Sequence, residues 1–316
     1  MAAMIETQDL TKYYQRGGTP ALQGVTAQIP AGNVGLLGEN GAGKTTFIKI
    51  CLGLLAPTAG TALVLGMANT ERALRRKVGY MPEDDSLSPD LSPMDLLVRL
   101  GRVSGLPFRA AMERAHDVLY LVGLGEERFR PIEGFSVGMK QRVKLAQALV
   151  HDPKLVFLDE PTSGMDPQGR DEILQLIKNI RERLQINILL STHLLADVER
   201  TCDAVVILRE GQVLAQGYLK DLLAGFEDLV YVRIFGDLNG FAQCLQRAGL
   251  SVSVLGSELA IEFENERVYE ILWREAASQG VQIRRIERQG HTLEQLFLRL
   301  HNLNPHPSPL PARERG

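Results

Sequence analysis

Eight residues carry the strongest chemical signal in the chain: Gly38-Glu39-Asn40-Gly41-Ala42-Gly43-Lys44-Thr45. The pattern G-x-x-x-x-G-K-[ST] makes a loop whose backbone N–H groups converge on phosphate oxygens. A helix opening at its end adds partial positive charge. In that arrangement Lys44 reaches β- and γ-phosphates, and the Thr45 hydroxyl ligates Mg2+. Gly38, Asn40, Gly41, Ala42, Gly43, Lys44, Thr45 and the following Thr46 form the expected phosphate-binding set. A second signal is the apolar run Leu155-Val156-Phe157-Leu158, which ends in Asp159 and Glu160. Acidic residues often end strands, so the pair alone says little. Downstream of a complete phosphate loop it says more. Asp159 is then the expected Mg2+ ligand, directly or through water, and Glu160 the expected base that polarises an attacking water.

Between these motifs lies Phe135-Ser136-Val137-Gly138-Met139-Lys140-Gln141-Arg142. It resembles the L-S-G-G-Q signature of ATP-binding cassette proteins, in the S-x-G-M-x-Q-R form common in bacterial exporter ATPases. Pro161 to Pro167 is similar to the family's D-loop. Ser191-Thr192-His193 follows another strand, as the family's switch histidine does. Tyr14 resembles the aromatic that stacks on adenine; Tyr13 is adjacent and either ring can stack, with the family spacing favouring Tyr14. The resemblance covers roughly Ile5 to Leu219 and implies ATP and Mg2+ as cofactors. It implies that His193 contacts the γ-phosphate while Glu160 remains the base. One position departs: Glu83 stands where the family usually has a glutamine that contacts Mg2+ and the attacking water. Glu83 is therefore an expected pocket residue and Mg2+ ligand that adds negative charge near the γ-phosphate.

The signature also has a physical reading. Ser136, Val137 and Gly138 open a helix, so their N–H groups and the Ser136 hydroxyl make a second anion site. Met139 completes the expected binding set. In the family this site serves the opposite subunit: two cassettes, identical or merely similar, pack head to tail with each ATP clamped between one phosphate loop and the other's signature. Shifting such a clamp from mostly open to mostly closed takes roughly 5.5 kcal/mol of differential binding, which several charge-assisted phosphate bonds can supply.

The elements that position these residues alternate. Asn33 to Leu37, Lys154 to Leu158 and Asn187 to Leu190 read as buried strands; Gly43 to Gly53 and Gln168 to Leu184 read as helices. That predicts an α/β domain, a P-loop cassette with a mixed, mostly parallel sheet, over residues 1–220. Strand signal vanishes between Pro82 and Val150, predicting a helical insert over about 84–150. Residues 221–303 read β-α-β-β-α-β, a small α+β ferredoxin-like domain that ends in a helix from Thr292 to Asn302. Its expected role is dimerisation or regulation. Residues 304–316, rich in proline and polar residues, are expected to be disordered.

At 316 residues, 45% hydrophobic and 23% charged, the chain can bury a sizeable core. Its net charge of -3 favours neither nucleic acid nor anionic lipid. Three scattered cysteines, Cys51, Cys202 and Cys244, indicate neither a zinc site nor a disulfide framework. The N-terminus does not read as a signal peptide. No apolar run approaches the ~20 residues a membrane span needs. With the resemblance, this implies the motor of a membrane transporter, with a separate membrane-spanning permease as partner, peripheral on the cytoplasmic face. Family analogy points to export. The alternative is an ATPase of the same family that transmits force without transport, or that acts on the ribosome or DNA. Those last branches usually carry paired cassettes or a long coiled coil, and this sequence has neither.

Overall fold

The structure is a computed structural model and describes residues 3–15, 17–84, 87–223, 229–263, 265–289, 293–294 and 296. The chain divides into two compact units, Met1–Leu219 and Lys220–Gly316.

The first unit runs β1 (Ala3–Lys12), β2 (Leu22–Pro30), β3 (Asn33–Leu37), α1 (Lys44–Cys51), β4 (Ala59–Val64), β5 (Met67–Ala68), β6 (Val78–Met81), α2 (Pro93–Val103), α3 (Phe108–Leu121), α4 (Val137–Leu149), β7 (Leu155–Asp159), α5 (Pro167–Leu184), β8 (Asn187–Thr192), α6 (Leu195–Thr201), β9 (Ala204–Arg209) and β10 (Gln212–Tyr218). A short α7 (Leu219–Leu223) follows. Six strands form one sheet in the order β10-β9-β3-β8-β7-β6. All pairs are parallel except β9 with the edge strand β10. Every residue of β3 and β7 is buried, as strands covered on both faces require.

A second, antiparallel sheet has the order β2-β1-β4-β5. Simple alternation does not announce it, because β1 is irregular. Its register against β2 shifts between Thr7 and Leu10, and Asp9 takes a left-handed φ of 47°. Ile5, Leu10, Val25 and Ile29 from this sheet join Phe47 and Ile48 of α1 and Phe157 of β7 in one core.

The helical insert is α2, α3 and α4 with two short 3-10 turns between α3 and α4. Local sequence sets its helix starts. Ser92 caps α2 by accepting from the Asp95 amide, with Pro93 at the first helical position. Ser136 caps α4 by accepting from the Met139 amide. Close packing sets where α4 lies: a Cβ on Gly79 of β6 would sit 2.0 Å from the Ala148 carbonyl oxygen, so only glycine admits α4 at this distance.

The second unit contains β11 (Leu229–Phe235), α8 (Leu238–Arg247), β12 (Val252–Leu255), β13 (Glu258–Glu262), α9 (Arg267–Gln279) and β14 (Gln282–Gln289). Its antiparallel sheet has the order β12-β13-β11-β14. Val230, Val232, Leu259 and Ile261 pack against Phe241, Leu245 and Leu272 of α8 and α9. The helix expected from Thr292 to Asn302 and the tail beyond lie outside the described residues, apart from Leu293, Glu294 and Leu296. All three cysteines are free. Burial pushes the Cys51 and Cys202 thiols well above their usual range. Among the described residues no helix is long and apolar enough to cross a membrane.

Candidate functional site

Strand order brings the motifs together. In the sequence β3–β8–β7–β6 across the sheet, adjacent strands end nearly level, with Leu37 opposite Thr192, Asp159 opposite Ser191 and Met81 opposite Leu158. The phosphate loop, His193, the Asp159–Glu160 pair and Glu83 therefore emerge side by side at the carboxyl ends, where parallel sheets bind ligands.

The loop after β3 closes through Gly43, whose φ is 102° and whose missing Cβ would lie 2.5 Å from the Ala21 carbonyl oxygen. Lys44 then opens α1. Its ammonium donates to the carbonyls of Gly38 at 2.7 Å and Glu39 at 3.2 Å, and sits 3.2 Å from Glu160 Oε1. The loop borders a cavity of about 420 Å³, within the ~300–1,000 Å³ range of small-molecule sites. Tyr14, Asn40, Gly41 and Gly43 line it, as do Lys44, Thr45, Thr46, Glu83 and Glu160. Ala21 also lines it, with no signal in the sequence to mark it. Gly38 and Ala42 belong to the same loop, closely packed on its far face: a Cβ on Gly38 would meet the Leu208 carbonyl at 2.5 Å, and the Ala42 side chain is buried. Tyr14 is 64% exposed and its hydroxyl shares a 3.1 Å hydrogen bond with Thr46 Oγ1. Tyr14, and not Tyr13, is among the lining residues. The Glu83 carbonyl accepts from the buried Lys144 ammonium at 2.8 Å, which fixes that segment to α4.

Asp159 ends β7 fully buried, and neither carboxylate oxygen makes a well-formed hydrogen bond in the molecule. Burial pushes its pKa up. The nearby Ser191 and Thr45 hydroxyls and Lys44 counter this in part, while Glu160 adds to it. A buried carboxylate so weakly partnered is costly. Oxygen ligands of this kind suit a hard divalent cation, so Asp159 beside Thr45 fits Mg2+. The next residue, Glu160, is 5% exposed and has a left-handed φ of 46°. A non-glycine residue in that region carries strain of order 1 kcal/mol, a feature that clusters at active sites. Its amide donates to the Ser191 carbonyl at 3.0 Å. One carboxylate oxygen faces Lys44 and the other lies 3.0 Å from His193 Nδ1.

The signature residues form a second cavity, of about 450 Å³, that shares no lining residue with the first. Ser136, Val137, Gly138 and Met139 border it from the start of α4, and Asp166 borders it from the loop after β7. Ser136 and Val137 are open to solvent. One chain thus carries a phosphate-loop cavity and a separate helix N-terminus free to face another molecule.

A phosphate loop after a buried parallel strand, with an acidic pair on the next strand but one, defines the class: a P-loop ATPase cassette. A profile of the ABC transporter family matches residues 22–163. The ABC transporter ATP-binding protein YxlF of Bacillus subtilis is 33% identical over 299 residues, covering 94% of this chain and 99% of that protein. The linearmycin resistance ATP-binding protein LnrL of the same organism is 32% identical over 308 residues, covering 94% and 98%. CbiO1 of Clostridium perfringens, part of the ABC transporter complex CbiONQ, superposes with a TM-score of 0.64 at 32% identity, over 71% of this chain and 92% of that one. The chain belongs to the ABC transporter family, as an ATP-binding and ATP-hydrolysing subunit.

Proposed function

We propose that this subunit, with a second copy or a similar cassette, closes head to tail on two ATP molecules and opens after hydrolysis, driving a separate permease from the cytoplasmic face of the membrane. The observation that carries this reading is the signature at Ser136–Met139, solvent-open at Ser136 and Val137, in a cavity apart from the phosphate loop. Each cavity is half of an ATP site, and a copy related by a two-fold axis completes both.

Within the site, Lys44 exchanges its contact with Glu160 for the β- and γ-phosphates, and the loop amides donate to the remaining phosphate oxygens. Thr45 and Asp159 would hold Mg2+, and Glu83, which lines the same cavity, would offer a further oxygen. Bound there, Mg2+ would supply charge neutralisation at the phosphate oxygens. Glu160, freed of Lys44, takes a proton from the attacking water, and His193 contacts and orients the γ-phosphate. Tyr14 stacks on the adenine. LnrL is named for linearmycin resistance, which supports outward movement of a substrate over force transmission alone. The unit from Lys220 onward serves dimerisation or regulation.

Glu160→Gln tests the reading. ATP affinity stays within about threefold, turnover falls at least about 100-fold, as loss of a general base predicts, and ATP drives the variant into a dimer seen by light scattering. Wild-type turnover would remove Glu160 as the base. A variant that stays monomeric in ATP, even with its permease present, would remove the shared site.

A further inference from the structure

Asp197 is a buried carboxylate with no role in the scheme above. It lies on α6, 1% exposed, four residues after His193. Its Oδ2 accepts from Thr162 Oγ1 at 2.9 Å, and its Oδ1 accepts from Arg170 Nε at 2.7 Å. Thr162 is buried and stands two residues after Glu160; Arg170 lies in the first turns of α5. Because His193 Nδ1 lies 3.0 Å from Glu160 Oε2, these contacts close a ring. It runs along the chain from Glu160 to Thr162, across to Asp197, back along α6 to His193, and across to Glu160. The residue before α6, Leu194, offers no side-chain cap; its own amide donates to Thr192 Oγ1 at 3.1 Å, ahead of the helix, which leaves the first-turn amides without a side-chain cap. The Asp197 contacts anchor that turn, and with it the direction from which the imidazole meets the carboxylate. Gly164, Met165 and Asp166, on the same loop as Thr162, line the signature cavity. The ring therefore also borders the half-site that a second cassette would fill.

The geometry points to Asp197 as a positioning residue for hydrolysis: through Thr162 and Arg170 it ties the loop after β7 to α6 and holds His193 against Glu160. This rests on the roles proposed above for Glu160 and His193. A buried ion pair that only holds the fold would lower stability and impair ATP binding and hydrolysis together. A positioning residue lowers the rate and leaves binding intact, because a small misplacement of reacting groups costs rate steeply.

The full chain is assayed as Asp197→Asn, Thr162→Val and His193→Ala, and as the double variants that join each of the first two to the third. Fluorescent-nucleotide titration gives ATP affinity, single-turnover assays give rates even when slow, and thermal unfolding checks the fold. Expected for Asp197→Asn and Thr162→Val are ATP affinity within about twofold and a hydrolysis rate lower by roughly 10- to 100-fold. Neither change slows the enzyme further once His193 is alanine. Thr162→Val leaves the Asp197–Arg170 pair in place and decides the matter if Asp197→Asn does not fold. Wild-type rates, parallel loss of binding, or losses that multiply with His193→Ala would each overturn the assignment. A wild-type rate in His193→Ala alone sinks the site reading with it. A slow His193→Ala whose defect multiplies with the others sinks only the role of Asp197.

Discussion

Residue by residue, the site holds groups that fit one another poorly until a ligand arrives. Asp159 is buried without a well-formed hydrogen bond, and burial raises its pKa. Glu160 occupies a strained backbone region and shares its carboxylate between Lys44 and His193. Such arrangements lower the stability of the nucleotide-free protein in return for readiness to bind. Asp159→Asn therefore stabilises the nucleotide-free chain by about 1 kcal/mol, a rise of about 2–4 °C in the melting temperature of a domain this size. The same variant loses Mg2+-dependent hydrolysis. Thermal unfolding without nucleotide checks the first claim: a lower melting temperature would show that the carboxylate is well partnered in solution.

For the helices and strands, local sequence accounts for where helices start but not for where they lie. Ser92 followed by Pro93 and Asp95 announces α2, and Ser136 announces α4, because capping involves neighbours in the chain. Gly79 looks unremarkable in sequence, yet it determines how close α4 comes to β6. Gly79→Ala forces its new methyl group into the Ala148 carbonyl, so it costs about 1–3 kcal/mol or more. It also displaces α4, and with it Ser136 and the Lys144 contact to Glu83. Urea denaturation measures the loss, and ATP-driven dimerisation falls beyond what the lost stability explains. Full stability in Gly79→Ala would mean that α4 can retreat freely. The irregular β1 is the opposite case: its register shifts break the alternation, so only its pairing with β2 and β4 reveals the strand.

Among the described residues, the core around β3, α1 and β7 and the core around β11, β13 and α8 have no residue in common and fall on either side of Leu219 in the chain. Separate cores argue for separate folding. A fragment of residues 1–219 is expected to fold cooperatively and to bind ATP with the affinity of the full chain, as measured by nucleotide titration. Loss of binding in a folded fragment would assign the later unit a part in the site itself.

The chemistry of this chain is legible in its linear order. A phosphate loop, an acidic strand end and a signature helix are each contiguous runs, and contiguous residues report local geometry because the backbone joins them directly. The β-α-β-β-α-β order of the second unit is legible for the same reason, since alternation and turn signals are short-range. Which motifs are neighbours is instead a property of the folded chain. Spatial order β3–β8–β7–β6 places His193 between the phosphate loop and Asp159, although it follows both in the chain. Folding divides the expected binding residues between two cavities and brings Thr162, Arg170 and Asp197 together. Such contacts depend on how strands cross over and how helices pack, and no local pattern of residue types encodes them.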